Sequence, residues 1–117
     1  MTDNKEINGS TVVIAGASSG FGRGAAVRLG ELGANVVVAA RRTAVLDEVV
    51  AEITGKGGSA LAVPTDVSDP RAVAHLASAA LEWLESIDVW VNNVGVGAVG
   101  SPLATGALGA LVRVTGV

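Results

Sequence analysis

Short apolar runs alternate with helical patterns along most of the chain, and this alternation limits the possible folds more than any other feature. Four runs are almost entirely apolar and rich in β-branched residues, as in strands that are buried on both faces. They are Thr11–Ala15, Asn35–Ala40, Ala60–Val63 and Ile87–Val91. Each segment between them has room for one helix, so consecutive strands should run parallel with right-handed crossovers. The sequence therefore predicts a layered α/β domain.

Three helices are predicted between the strands. The first helical pattern ends at Gly33, a residue type that favours the left-handed conformation found after helices. The second helix is predicted to begin at an N-cap, Thr43. The third is predicted to open with Asp69 and Pro70, a capping carboxylate followed by proline at the first helical position. Trp90, in the fourth strand, is predicted to pack against a helix.

The two ends of the chain carry weaker patterns than the region 11–95. Residues 1–10 are polar and predict a disordered lead-in. Residues 96–117 are rich in glycine and alanine with weak periodicity, and the pattern does not decide between a loop and a short helix. Without a fifth strand beside it, the fourth strand would be an exposed apolar edge. We therefore expect self-association through this edge unless another chain covers it.

The composition excludes several classes of function. The 117 residues include no cysteine and one histidine, which excludes disulfides, thiolate nucleophiles and metal sites built from cysteine or clustered histidine. The net charge is −3 and the longest basic run is Arg41-Arg42, so a nucleic-acid or anionic membrane surface is not expected. The amino-terminal segment lacks the apolar core of a signal peptide. The uncharged stretch 89–112 holds too many glycine and polar residues to favour a membrane span. We expect a cytoplasmic protein.

A glycine-rich turn between the first strand and the first helix is the strongest functional signal. Gly16, Gly20 and Gly22 have the spacing G-x-x-x-G-x-G. A helix N-terminus presents unpaired N–H groups and a positive dipole end, and glycine lets a phosphate approach the backbone without meeting a Cβ. Because this turn opens the first βα unit, it predicts a dinucleotide phosphate site. Ser18 and Ser19 have no partner base in sequence, so phosphate binding is favoured over a nucleophilic role.

With three later motifs in the same order, this turn resembles the short-chain dehydrogenase/reductase family. The turn reads A-G-A-S-S-G-F-G where the family has T-G-x-x-x-G-x-G. The later motifs are Arg41-Arg42 after the second strand, Asp66-Val67 after the third, and N-N-V-G at 92–95, where the family has N-N-A-G. The resemblance covers residues 9–95. It implies a three-layer Rossmann-type parallel sheet, truncated here after about four strands, that binds a nicotinamide dinucleotide.

The resemblance implies a role for each matching position. The glycines would shape the turn, while its two serines and its phenylalanine would line the phosphates. Asp66 would accept a hydrogen bond from the adenine amino group beside the Val67 backbone, and Asn92 and Gly95 would border the cofactor ribose. With the arginine pair added, the predicted cofactor-binding residues are Gly16, Ser18, Ser19, Gly20, Phe21, Gly22, Arg41, Arg42, Asp66, Val67, Asn92 and Gly95.

The end of the second strand predicts which dinucleotide is preferred. An NAD site needs a carboxylate there to bind the ribose 2′-hydroxyl. This strand ends instead in Ala40, and Arg41 and Arg42 follow it. Because guanidinium groups bind phosphate oxygens bidentately, we predict NADP(H) in preference to NAD(H). The alternative is a solvent-exposed pair at a helix start, which fits Arg42 better than Arg41.

The residues that perform catalysis in this family have no counterpart in the chain. The family uses a tyrosine as general acid or base, a lysine four residues later, a serine and an asparagine. The sequence has no tyrosine, and its two lysines are Lys5 and Lys56, so we assign no catalytic residue. The resemblance implies an NADP(H)-dependent oxidoreductase of alcohol or carbonyl substrates, of which this chain holds the cofactor-binding half and is inactive alone. A noncatalytic dinucleotide-sensing domain and a nonfunctional truncated product are the alternatives.

Overall fold

The computed structural model describes residues 7–17, 20–92 and 110–113. Within these ranges, strands and helices alternate as predicted as far as the fourth strand. The elements are β1 (Thr11–Ala15), α1 (Gly20–Glu31), β2 (Asn35–Ala40), α2 (Thr43–Gly55), β3 (Ser59–Pro64), α3 (Pro70–Leu84), β4 (Val89–Asn92) and β5 (Ala110–Arg113). In the part of the chain that is described, no helix combines the length and the apolar character needed to cross a membrane.

The strands form one sheet in the order β3-β2-β1-β4-β5, and β3, β2, β1 and β4 are parallel to one another. Every residue of β1 is buried, because this strand lies between β2 and β4 in the middle of the parallel set. The prediction of a Rossmann-type parallel sheet in an α/β fold is confirmed. The strand order reverses at the β1–β4 boundary, which is the position where open α/β sheets bind their ligands.

The expectation of a bare edge at β4 is wrong, because β5 pairs with β4 in antiparallel orientation. The register places Asn92 opposite Ala110 and Val89 opposite Arg113. A parallel fifth strand would need a crossover of about a dozen residues or more, usually helical. The glycines and Pro102 in the sequence 93–109 disfavour such a helix. The antiparallel pairing supplies hydrogen bonds to the outer side of β4 at residues 89–92.

The helices cover the two faces of the sheet, and the alternation of side chains along the strands determines which residues face which helix. Val12 and Ile14 of β1 belong to the apolar cluster that includes residues of α1 and α2. Val13, between them, belongs to the cluster that includes Leu76 of α3. Trp90 packs against this second cluster, which includes residues of β1, β2, β3 and α3. The three layers follow from strands whose side chains are apolar on both faces.

The helix starts agree only partly with the sequence prediction. Asp69 is the N-cap of α3 as predicted, since its side chain accepts a hydrogen bond from the backbone N–H of Arg71, and Pro70 begins the helix. The prediction of Thr43 as the N-cap of α2 is wrong. Arg42 occupies that position with an extended backbone, and Thr43 is already helical. A guanidinium group has only hydrogen-bond donors, so Arg42 cannot cap the first-turn N–H groups as a threonine hydroxyl would.

Helices α1 and α2 approach each other closely at a glycine. A Cβ added to Gly30 would lie 2.7 Å from Cγ2 of Ile53, which is a fully buried side chain of α2. Farther along the same pair of helices, the Arg23 guanidinium lies 3.3 Å from a carboxylate oxygen of Glu48 and 3.2 Å from one of Glu52. These exposed ion pairs contribute little free energy, so apolar packing at Gly30 is the main interaction that fixes the spacing of the two helices.

Replacing this glycine is expected to destabilise the fold. Gly30→Ala would overpack the contact with Ile53, at a cost of about 1–3 kcal/mol that exceeds the gain in helix propensity. Gly24→Ala is the matched control in the same helix, since no atom lies within 4 Å of its added Cβ. It should raise the free energy of unfolding by about 0.5–1 kcal/mol. Urea unfolding measures both changes, and equal effects of the two substitutions would contradict the proposed close contact.

Candidate cofactor-binding site

The carboxyl ends of β1, β2 and β3 lie at the same edge of the sheet and border a cavity of about 600 Å³. Parallel strands bring these three ends together although each is separated from the next in sequence by a whole βα unit. The cavity contains both positive and negative side chains. Its lining residues are Gly16, Ala40, Arg41, Arg42, Val45, Thr65, Asp66, Val67 and Ser68.

The turn after β1 is fixed to the neighbouring strand by its backbone. The N–H groups of Gly16 and Ala17 both donate to the carbonyl oxygen of Ala39, at 2.7 and 3.0 Å. Gly16 has a φ of 89°, in the left-handed region that favours glycine. This conformation turns the chain away from β1, and α1 begins three residues after Ala17. The amino terminus of α1 therefore follows directly from the turn, as a phosphate site requires.

The other predicted residues of this turn lie in the first turn of α1 or outside the described residues. Gly20 has a φ of 38°, Phe21 is 51 % exposed, and Gly22 is buried. None of these three lines the cavity described above. Ser18 and Ser19, and Gly95 near the end of the last motif, lie outside the described residues. Among the described residues of the glycine-rich motif that were predicted to bind the cofactor, Gly16 is the one that lines the cavity.

The arginine pair is placed by the end of β2. Ala40, the last residue of the strand, is buried, whereas Arg41 and Arg42 are exposed and line the cavity. The last residue of β2, Ala40, has a methyl group as its side chain, so this position offers no carboxylate to a ribose hydroxyl. Both residues carry a guanidinium group with hydrogen-bond donors and positive charge, which suits an anionic ligand in the cavity that they line.

Asp66 is positioned by the turn that follows β3. The N–H of Thr65 donates to the Ala40 carbonyl oxygen at 2.8 Å, which extends the pairing of β3 with β2 as far as this turn. Oδ1 of Asp66 accepts hydrogen bonds from the Ser68 hydroxyl at 2.6 Å and from the Ser68 N–H at 3.0 Å. These two bonds, and the nearby Arg41 charge, hold the pKa of the Asp66 carboxyl below its usual range. Val67 lines the cavity beside it.

Asn92 ends β4 on the opposite side of β1 from the cavity. It pairs in register with Ala15, the last residue of β1, and is half-buried. This places Asn92 at the β1–β4 boundary, where the strand order reverses, but not in the lining of the cavity. The cavity thus unites Gly16 with the residues after β2 and β3, while Asn92 marks a second part of the same sheet edge.

Four residues that line the cavity were not among the predicted binding residues, although Ala40 was used to predict the choice of dinucleotide. Val45 and Thr65 carry no chemical signal in a sequence, because apolar and hydroxyl side chains of this kind occur throughout the chain. Ser68 has a recognisable signal, since an aspartate two residues before a hydrogen-bond donor favours a local turn. The acceptor Asp66 was identified from the sequence, and its donor was not.

Comparison with known proteins places this geometry in a family. The family model described as "short chain dehydrogenase" matches residues 10–110. Among curated proteins, the 1-deoxy-11-beta-hydroxypentalenate dehydrogenase of Streptomyces exfoliatus is 42 % identical over 92 residues, which are 78 % of this chain and 34 % of that protein. The chain spans about a third of the length of the curated relatives it matches.

Two solved structures show the same fold with different dinucleotides. A metagenomic short-chain oxidoreductase in complex with NADP has a TM-score of 0.73 and 42 % identity, over 85 % of this chain and 45 % of that chain. An NADH-dependent reductase complexed with NAD has a TM-score of 0.72 and 26 % identity, over 80 % of this chain and 39 % of that chain. Structural similarity therefore does not decide between the two cofactors, and the choice depends on the side chains at the site.

The lowered pKa of Asp66 has a consequence for pH dependence. We expect its carboxyl to titrate below the ordinary aspartate value of about 3.9, because the Ser68 donors favour the charged form. The stabilisation is fully present above the ordinary value and is lost as the pH falls through the lowered pKa. An NMR titration of the Asp66 carboxyl in the folded protein measures this directly. A pKa at or above the ordinary value would contradict the hydrogen bonds to Oδ1.

Proposed function

The chain belongs to the short-chain dehydrogenase family, and from that premise we propose that it binds the adenosine phosphate half of NADP(H). In this proposal the chain is the cofactor-binding part of an oxidoreductase that acts on alcohol or carbonyl substrates. Members of the family bind nicotinamide dinucleotides, and the cavity at the ends of β1, β2 and β3 is where the adenosine would bind.

One observation carries the preference for NADP(H). The position where an NAD site would have a carboxylate is the buried Ala40 at the end of β2, and the next residue, Arg41, lines the cavity. A guanidinium binds the two negative charges of a 2′-phosphate with paired hydrogen bonds, whereas a ribose 2′-hydroxyl gains little from it. Arg42 would add positive charge from the start of α2.

The remaining predicted residues would complete the site around the cofactor. The backbone of the glycine-rich turn and the amino terminus of α1 would face the pyrophosphate. Asp66 would accept a hydrogen bond from the adenine amino group, with Val67 beside the ring. Asn92 and Gly95 would border the cofactor ribose. The full proposed set is Gly16, Ser18, Ser19, Gly20, Phe21, Gly22, Arg41, Arg42, Asp66, Val67, Asn92 and Gly95.

The preference is tested with two nucleotides that differ by a single phosphate, adenosine 2′,5′-bisphosphate and adenosine 5′-monophosphate. Arg41→Gln and Arg41→Asp should lower the affinity for the bisphosphate by roughly ten- to hundredfold, because hydrogen bonds to a charged group contribute about that much. The affinity for the monophosphate should be nearly unchanged. Calorimetry measures both affinities. Arg28→Gln, at an exposed arginine of α1, is the control and should change neither.

The outcomes separate the parts of this proposal. Equal losses for the two nucleotides in the Arg41 variants would contradict a 2′-phosphate contact while leaving nucleotide binding in place. A wild-type chain that binds neither nucleotide at millimolar concentration would overturn the proposed function itself.

The purified 117-residue chain is expected to bind NADPH without oxidising it in the presence of aldehydes or ketones. The family's proton transfer uses a tyrosine, and this chain contains none. The measurement is the loss of NADPH absorbance over time with a panel of carbonyl compounds. Turnover that disappears in the Arg41→Asp variant would contradict this expectation, since it would show that the chain performs the reaction by itself.

A further inference from the structure

Ser68 donates two hydrogen bonds to the side chain of Asp66. Its hydroxyl donates to Oδ1 at 2.6 Å and its backbone N–H donates to the same oxygen at 3.0 Å. Both bonds use one of the two carboxylate oxygens, so the rotation of the carboxylate is restricted and Oδ2 is left as an acceptor. Asp66 and Ser68 both line the 600 Å³ cavity. The contact therefore lies where a ligand would meet Asp66.

The backbone around this contact is itself anchored. The N–H of Asp69 donates to the Asp66 carbonyl oxygen at 3.0 Å, and Asp69 then caps α3. On the other side, Thr65 donates to the end of β2. The Asp66 turn is thus held between a strand and a helix start, so the orientation of its side chain is the remaining freedom that Ser68 restricts.

The charge state of Asp66 determines which ligand groups it can accept. The Ser68 donors, with a smaller contribution from Arg41, hold the pKa of Asp66 below its usual range. A second acidic residue, Asp69, lies three residues later in the same turn. An ionised carboxylate has acceptors and no donor. A group that meets Oδ2 must therefore donate a hydrogen bond. The 6-amino group of adenine does so, whereas the 6-oxo group of hypoxanthine is an acceptor and would be repelled.

We propose that Ser68 is a positioning residue that fixes Oδ1 of Asp66, so that Oδ2 selects a ligand with an amino donor in place of a carbonyl acceptor. The inference rests on the proposed nucleotide site and adds to it the residue that maintains discrimination between a 6-amino and a 6-oxo purine. Ser68 does not need to touch the ligand for this role. Its effect is transmitted through the carboxylate that it holds.

The experiment compares Ser68→Ala and Ser68→Thr with the wild-type chain. Ser68→Ala removes the hydroxyl donor and keeps the backbone donor, while Ser68→Thr keeps both. Ser78→Ala, at an exposed serine within α3, is the control for loss of a hydroxyl. The probes are adenosine 2′,5′-bisphosphate and inosine 2′,5′-bisphosphate, measured by calorimetry. The Asp66 carboxyl is titrated by NMR in each protein without a nucleotide.

Ser68→Ala should raise the pKa of Asp66. It should also lower the affinity for the adenosine probe by roughly three- to tenfold, the effect of losing one hydrogen bond, and change the affinity for the inosine probe little. Ser68→Thr should keep the wild-type pKa and the wild-type preference for the adenosine probe. Ser78→Ala should match the wild type in both measurements. These results together would support Ser68 as a positioning residue.

The opposite results overturn the inference and are distinguishable from failure of the proposed function. An unchanged Asp66 pKa in Ser68→Ala, equal losses for the two probes, or a Ser68→Thr variant that behaves like Ser68→Ala would each overturn it. A wild-type chain that binds neither probe would overturn the proposed function and the ligand role of Ser68 with it. The NMR titration still reports in that case whether Ser68 controls the charge of Asp66.

Discussion

The pairing of the β1 backbone on both sides is the constraint on which the other elements depend. β1 is buried along its whole length, so its N–H and C=O groups cannot bond to water and must be satisfied by β2 and β4. Its start is closed by Asp88, whose side chain accepts from the Thr11 N–H at 2.8 Å and whose own N–H donates to the Thr11 carbonyl at 2.9 Å. The bonds from Gly16 and Ala17 to Ala39 close the other end. The helices and turns are built outward from this strand.

The location of the candidate site follows from this strand pairing alone. Once β1, β2 and β3 are parallel and in register, their following turns are adjacent, and each turn contributes one type of chemistry. The first turn leads to the amino terminus of α1, the second carries positive charge at Arg41, and the third carries an ionised acceptor at Asp66. In the proposed function, a ligand that combines phosphates with a base bearing an amino group would meet all three turns. The strands determine only the distances between these three turns.

Sequence reasoning succeeded where one residue pattern has one structural meaning. The β-branched runs at β1 and β2 have their predicted bounds, because a strand buried on both faces leaves no polar position to confuse the period. It failed where tertiary context decides. The pairing of β5 with β4 depends on an open strand edge that no local pattern in 110–113 encodes, and the start of α2 depends on the extended backbone of Arg42. At the site, charged residues were found from the sequence. Ser68 was missed although its spacing from Asp66 favours the local turn in which its hydroxyl donates to that carboxylate.

The position of β3 at the border of the sheet has a consequence for motion. β3 is hydrogen-bonded to β2 on one side, and most of its residues are partly or fully exposed, so local opening should cost less there than in β1. The turn that carries Asp66 begins at the end of this border strand, whereas Arg41 follows a fully enclosed one. A ligand that bridges the two turns would add its binding free energy to the β2–β3 pairing. Amide hydrogen exchange in β3 would then slow in proportion to occupancy, which makes the border strand a reporter of the filled site.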